Sequence, residues 1–108
     1  MSRPRLIIRD VVLDDVDGIA AHIAADNLDA ALRFYDAAQA AFDFLAATPG
    51  AGPRVDPPLQ TVSDLRFWPI TAFRNYLVLY RPLDGGSGVE VLRVIHGSRD
   101  IVAVVERG

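Results

Sequence analysis

The chain has 108 residues, 51% hydrophobic and 23% charged, which suits one globular domain spanning 1–108 with no room for a second core. It has no cysteine, so disulfides, thiolate catalysis and thiolate zinc sites are excluded, and its two histidines, His22 and His96, are too few for a histidine-rich metal cluster. A formal charge of −3 argues against a broad nucleic-acid footprint.

The start of the chain lacks the apolar run of a signal peptide. No stretch approaches the roughly 20 apolar residues of a membrane span, so a cytoplasmic protein is the expectation. All 11 basic residues are arginine. Acidic residues crowd the first half (Asp10, Asp14, Asp15, Asp17, Asp26, Asp29, Asp36, Asp43), whereas Arg54, Arg66, Arg74, Arg81, Arg93, Arg99 and Arg107 lie in the second.

Arg5 to Arg9 reads as a short first strand, with Asp10 a helix N-cap. From Val12 the apolar positions Val12, Val16, Ile19, Ala20, Ile23 and Ala24 trace one face of an amphipathic helix. Asp14, Asp15 and Asp17 fall in its first turns, where carboxylates suit the helix dipole, and read as a solvated face. His22 sits on the polar side. Asn27 is placed to cap a second helix with the stripe Leu28, Ala31, Leu32, Tyr35, Ala38, Phe42 and Leu45, widened by Phe34, Ala41 and Phe44. Its many alanines favour helix, and Thr48-Pro49-Gly50 stops it near Ala47. The two helices make a hairpin.

Residues 49–63 form a loop rich in proline and glycine, read as a connector between helices and sheet. Leu65–Pro69 is a short strand that Pro69 marks as an edge or end. Phe73–Arg81 is the clearest strand, Asp84–Gly88 is a hairpin loop, and Val89–His96 returns. Arg99–Glu106 is one or two helical turns or an extended tail. The fold class is therefore α+β: a short N-terminal strand, a helical hairpin, a three-stranded antiparallel meander completing one sheet, and a short C-terminal tail or helix.

With Arg81 opposite Val89, Leu77, Leu79, Val89, Val91 and Ile95 share one face of the meander, and Tyr76, Val78, Tyr80, Leu92 and Val94 share the other. Both faces are apolar, which an antiparallel sheet with one wet face would not show. The helical hairpin covers one face. The other is expected to remain open for a protein partner.

These pieces meet specific residues: Ile23-Ala24 through Asn27 with Ala30-Ala31 and Phe34; Leu45-Ala46 with Pro49 and Gly52; Phe73-Arg74-Asn75-Tyr76 with Tyr80-Arg81; and Glu90 through Asp100. In this pattern the chain resembles the ParE branch of the RelE/ParE toxin superfamily over nearly its whole length. The resemblance implies the toxin of a type II toxin–antitoxin module. It implies a ParD-like antitoxin that wraps the apolar surface, and operator DNA bound only through their complex. It also implies poisoning of DNA gyrase without enzymatic activity. Tyr76, Val78, Tyr80, Arg81, Leu92, Val94 and Trp68 are then the expected antitoxin contacts, and Arg99 with Asp100 the expected target contact.

RelE-like members of the superfamily cut mRNA on the ribosome, using lysines, arginines and often a tyrosine or histidine near the C-terminus. Such a reaction must activate a 2′-hydroxyl, stabilise a pentacoordinate phosphate and protonate a leaving oxygen. Here His96, Arg99, Arg81 and Arg74 are the only candidates for that work; there is no lysine, and no tyrosine follows Arg99. His96 reads as a local hydrogen-bonder at the strand end. Arg93, mid-strand, needs a carboxylate, with Glu90, Asp100 or an acidic helix residue available. No catalytic residue, metal site or cofactor is assigned.

Overall fold

The computed structural model describes residues 3–107. The elements run β1 (Arg5–Ile8), α1 (Asp10–Ala24), α2 (Leu28–Ala47), β2 (Arg66–Ile70), β3 (Phe73–Pro82), β4 (Gly88–His96) and α3 (Ile101–Arg107). One sheet has the order β1-β4-β3-β2. β2, β3 and β4 form an antiparallel meander, and β1 joins β4 in parallel. A parallel pair needs a long crossover, which the helical hairpin and the first two meander strands supply. This is the α+β order read from the sequence.

Asn27 caps α2: its side-chain oxygen accepts the Ala30 N–H at 3.0 Å. Asp10 is not the cap of α1. The chain turns into helix one residue earlier, at Arg9, and Asp10 is the first helical residue. The buried stripe of α2 is Ala31, Phe34, Ala38, Ala41, Phe42, Leu45 and Ala46. Leu28, Leu32 and Tyr35, expected in the core, are exposed by 64%, 58% and 41%. Leu32 and Tyr35 each follow a buried residue, and one residue turns a helix by about 100°. Phe34 takes the central place instead, edge-on to Phe73 and Tyr76 at 5.2 and 5.6 Å.

Arg81 stands opposite Glu90 rather than Val89, and the register then slips: Leu79 faces Arg93 but Tyr80 faces Val91. Leu92 is the extra residue of a β-bulge. Val89, Val91 and Val94 therefore share the helix side with Val78 and Tyr80, whereas Leu92 and Ile95 join Leu79 on the other side. Two apolar cores result, one on each face of the sheet.

The second face is not open. Val55, Leu65, Leu59 and Val62 from the 49–65 loop, and Ile101, Val104 and Val105 from α3, pack over Leu79, Leu92 and Ile95. The loop is thus a lid as well as a connector. It is pinned where Val55 N–H donates to Leu65 O at 2.9 Å and Phe67 N–H to Pro53 O at 3.2 Å. From the sheet, the wholly buried Tyr80 hydroxyl accepts the Gly52 N–H at 2.8 Å and donates to Pro49 O at 2.9 Å. Burial raises the Tyr80 pKa, only partly offset by the Gly52 amide and Arg66, so the phenol stays a neutral donor. Gly52 is required there, since a Cβ would lie 2.4 Å from the Phe67 carbonyl oxygen.

Candidate functional site

The C-terminal end of β4 gathers the polar residues that stand out in the sequence. His96 faces Tyr76 across the sheet, with the two rings edge-to-face at 5.3 Å. The Ser98 N–H donates to His96 Nδ1 at 3.1 Å, and Ser98 Oγ lies 2.8 Å from the same nitrogen. Nδ1 is thus an acceptor, which puts the proton of the neutral ring on Nε2. Arg99 N–H donates to His96 O at 3.0 Å, closing the turn, and Asp100 Oδ1 accepts the Ala103 N–H at 3.3 Å at the start of α3. Between this turn and α1 lies an open cleft of about 400 Å³, lined by Asp14, Gly18, His22, Tyr76, His96 and Arg99 among others.

Most arginines near the sheet are committed to carboxylates. Arg93 donates Nε to Asp15 at 2.8 Å and Nη2 at 2.9 Å, and Asp15 also accepts the Val94 N–H at 3.0 Å. The side chains of Arg93 and Asp15 are 20% and 11% exposed, so Asp15 does not belong to a solvated acidic face. Its bonds raise the Arg93 pKa against the effect of burial. Helical spacing sets Asp15 and Asp17 at the two margins of the apolar face of α1, and only the packing of α1 on β4 distinguishes them. Arg81 donates to Glu90 at 2.7 Å, and Arg9 to the other Glu90 oxygen at 3.1 Å. Arg66 holds Asp64 at 3.1 Å and the Gly52 carbonyl at 2.9 Å. Arg74 and Arg99 have no ion pair among the described residues.

The four residues a nuclease would use do not converge. Arg81 sits at the hairpin-loop end of β3, whereas Tyr76, opposite His96, is five residues away. At about 3.3 Å per strand residue this is roughly 16 Å, and Arg74 is farther still. Among the described residues no group of three or more His, Asp or Glu is placed to hold a metal ion.

The family model for the ParE toxin of type II toxin–antitoxin systems, parDE, matches residues 6–101. The chain belongs to the ParE toxin family. No curated protein matches it at significance. As a ParE-family chain it is a type II toxin, and an antitoxin is its partner. No helix among the described residues is long and apolar enough to cross a membrane.

The exposed surface of this ParE-family toxin is not the one expected. Val78, Tyr80, Leu92 and Val94 are at most 2% exposed, because the helical hairpin, the lid loop and α3 already cover them. Arg81 is paired within the chain. Tyr76 and Trp68 remain half-buried. Trp68 stacks on Phe44 at 5.3 Å beside a groove of about 390 Å³ floored by Ala37, Ala40 and Ala41. The large apolar side chains that do reach solvent include Leu28, Leu32 and Tyr35, at i, i+4 and i+7 on α2, together with Leu13 and Phe44. The stripe was visible as a spacing, but apolar spacing alone cannot separate core from partner face.

Proposed function

We propose that this ParE-family chain inhibits DNA gyrase by binding it, without cutting nucleic acid, and that a ParD-like antitoxin neutralises it in the cytoplasm and carries the pair to operator DNA. The observation that carries this reading is the separation of Arg81 from the other nuclease candidates, with His96 held by its own turn. Arg81 is bound to Glu90 at the far end of the sheet, and His96 Nδ1 is taken up by its own turn. Arg99 and Asp100, both exposed and adjoining α3, are the target contact. The antitoxin covers the Leu28, Leu32 and Tyr35 stripe and the Trp68–Phe44 groove, with Tyr76 at its margin. Inhibition of gyrase supercoiling by the purified chain, relieved by the antitoxin, tests this.

A second reading, RelE-like cleavage of mRNA on the ribosome, rests on one observation. His96, Arg99 and Arg74 all belong to the same end of the sheet, since Gly97 N–H donates to Asn75 O at 2.7 Å. It lacks a lysine, a tyrosine after Arg99, and Arg81. Cleavage of ribosome-bound mRNA that is lost in His96→Ala and Arg99→Ala would favour it.

A further inference from the structure

The two edges of the sheet are finished differently. On β2 the Pro53 carbonyl takes the outward N–H of Phe67, and Pro69 has no N–H to offer two residues later. β1 is open. Its Arg5 N–H donates to Ser87 O at 2.8 Å, and Arg9 N–H to Val91 O at 3.3 Å, so the odd-numbered amides face β4. Alternation turns the N–H and C=O groups of Leu6 and Ile8 away from the sheet, and neither has a backbone partner there among the described residues. Gly88 lets β1 lie this close to β4, since a Cβ there would sit 1.9 Å from the Arg5 carbonyl oxygen. An unpaired row of backbone groups is a template for another strand.

The side chains along this edge select the strand. Leu6 and Ile8 pack into the helix-side core, while Arg5, Ile7 and Arg9 alternate onto the other face, with Ile7 37% exposed. Glu90, opposite Ile7, is shared by Arg9 and Arg81. Arg9 and Arg81 therefore share one carboxylate, and Arg5 has no ion pair among the described residues, so this edge carries more positive than negative side chains on a chain whose formal net charge is −3. A second copy is a poor occupant: antiparallel pairing centred on Ile7 would set each Arg5 against the other's Arg9, and like charges opposite one another destabilise a ladder. A strand with acidic residues flanking an apolar one matches both the charges and Ile7.

We propose that β1 is a docking edge for an extended segment of the antitoxin, alternating apolar and acidic side chains, that adds as a fifth strand by bonding the outward peptide groups of Leu6 and Ile8. This rests on the toxin–antitoxin reading and names the mode of contact with that partner. The test is amide hydrogen exchange at Leu6 and Ile8 in the free toxin and in its complex with the antitoxin, with binding measured for Arg5→Glu and Leu6→Pro. Leu6→Pro removes an outward donor while keeping the β1–β4 bonds; Arg5→Glu changes charge only, at an exposed residue without an ion pair among those described.

The expected result is that both amides exchange at least about tenfold more slowly in the complex, and that each variant binds at least about tenfold more weakly, with Arg5→Glu keeping the wild-type unfolding midpoint. A complex that forms while both amides exchange as before and Arg5→Glu binds normally overturns the docking edge and leaves the toxin–antitoxin reading standing. Slowing by duplex oligonucleotide but not by antitoxin overturns it also. Failure of the wild-type chain to bind any antitoxin overturns both.

Discussion

Asp15 on α1 and Arg93 on β4 hold each other through two hydrogen bonds, at 2.8 and 2.9 Å, across 78 residues of sequence. The same guanidinium reaches the Val104 carbonyl in α3 at 3.5 Å, so one side chain ties the first helix, the last strand and the C-terminal helix together. A pair this enclosed matters most when half of it is removed, because the remaining charge has lost its partner. Arg93→Ala or Asp15→Ala is expected to cost about 2–4 kcal/mol. In urea denaturation the Asp15→Ala/Arg93→Ala double variant should lose clearly less than the sum of the single changes. Additive losses would show that the two residues do not act as a pair.

The element order, the bounds of α2, the Asn27 cap and the hairpin were legible, because each depends on neighbours in sequence: periodicity, caps, proline and glycine. Legibility ended where distant segments meet. The Leu92 bulge has no local signature, yet it decides which valines face the helices. The 49–63 loop looked like a connector because its three core residues, Val55, Leu59 and Val62, are scattered among prolines and polar residues without a helical or strand period. Asp15 looked like Asp17, at the other margin of the apolar face, until α1 was laid on β4. At the site, the grouping of His96 and Arg99 could be read from their spacing, whereas the separation of Arg81 from them required the strand register.

Tyr80 joins the sheet to the lid loop through its hydroxyl, and Tyr80→Phe removes that oxygen while keeping the ring. Gly52 N–H and Pro49 O then lose their partner, at a cost of about 1–3 kcal/mol for the buried donor. The lid should respond more than the helices. Hydrogen exchange over residues 50–66 is expected to quicken while the α2 amides keep their protection. Uniform acceleration across the chain would mean that Tyr80 serves as general core packing only.

Glu90 supplies a pH dependence of known sign. Burial alone would raise its pKa, but hydrogen bonds from Arg9 and Arg81, with their charges, outweigh it and leave the carboxyl below its ordinary value. A lowered folded-state pKa means that the stabilisation is fully present above the unfolded carboxylate pKa, near 4.3–4.5, and is lost as pH falls through the folded value. Glu90→Gln should therefore lower stability at pH 7, with the gap from wild type narrowing as the pH drops below about 4.5. A gap that is constant between pH 7 and pH 3 would contradict the assignment.

Leu32 is 58% exposed in the middle of the Leu28–Tyr35 stripe, so an acidic side chain there should do little to the free toxin. Leu32→Asp is expected to change stability by less than about 0.5 kcal/mol. In the complex the same change would bury a carboxylate against apolar surface, weakening antitoxin binding at least about tenfold by calorimetry. Unchanged affinity would remove the stripe from the antitoxin interface.

What the toxin touches is measured most directly by ATP-dependent supercoiling of relaxed plasmid by purified gyrase. Wild-type toxin should block supercoiling, antitoxin should restore it, and Arg99→Glu should lose most of the block while remaining folded. Full supercoiling at saturating toxin, together with cleavage of mRNA on ribosomes by the same preparation, would contradict the account.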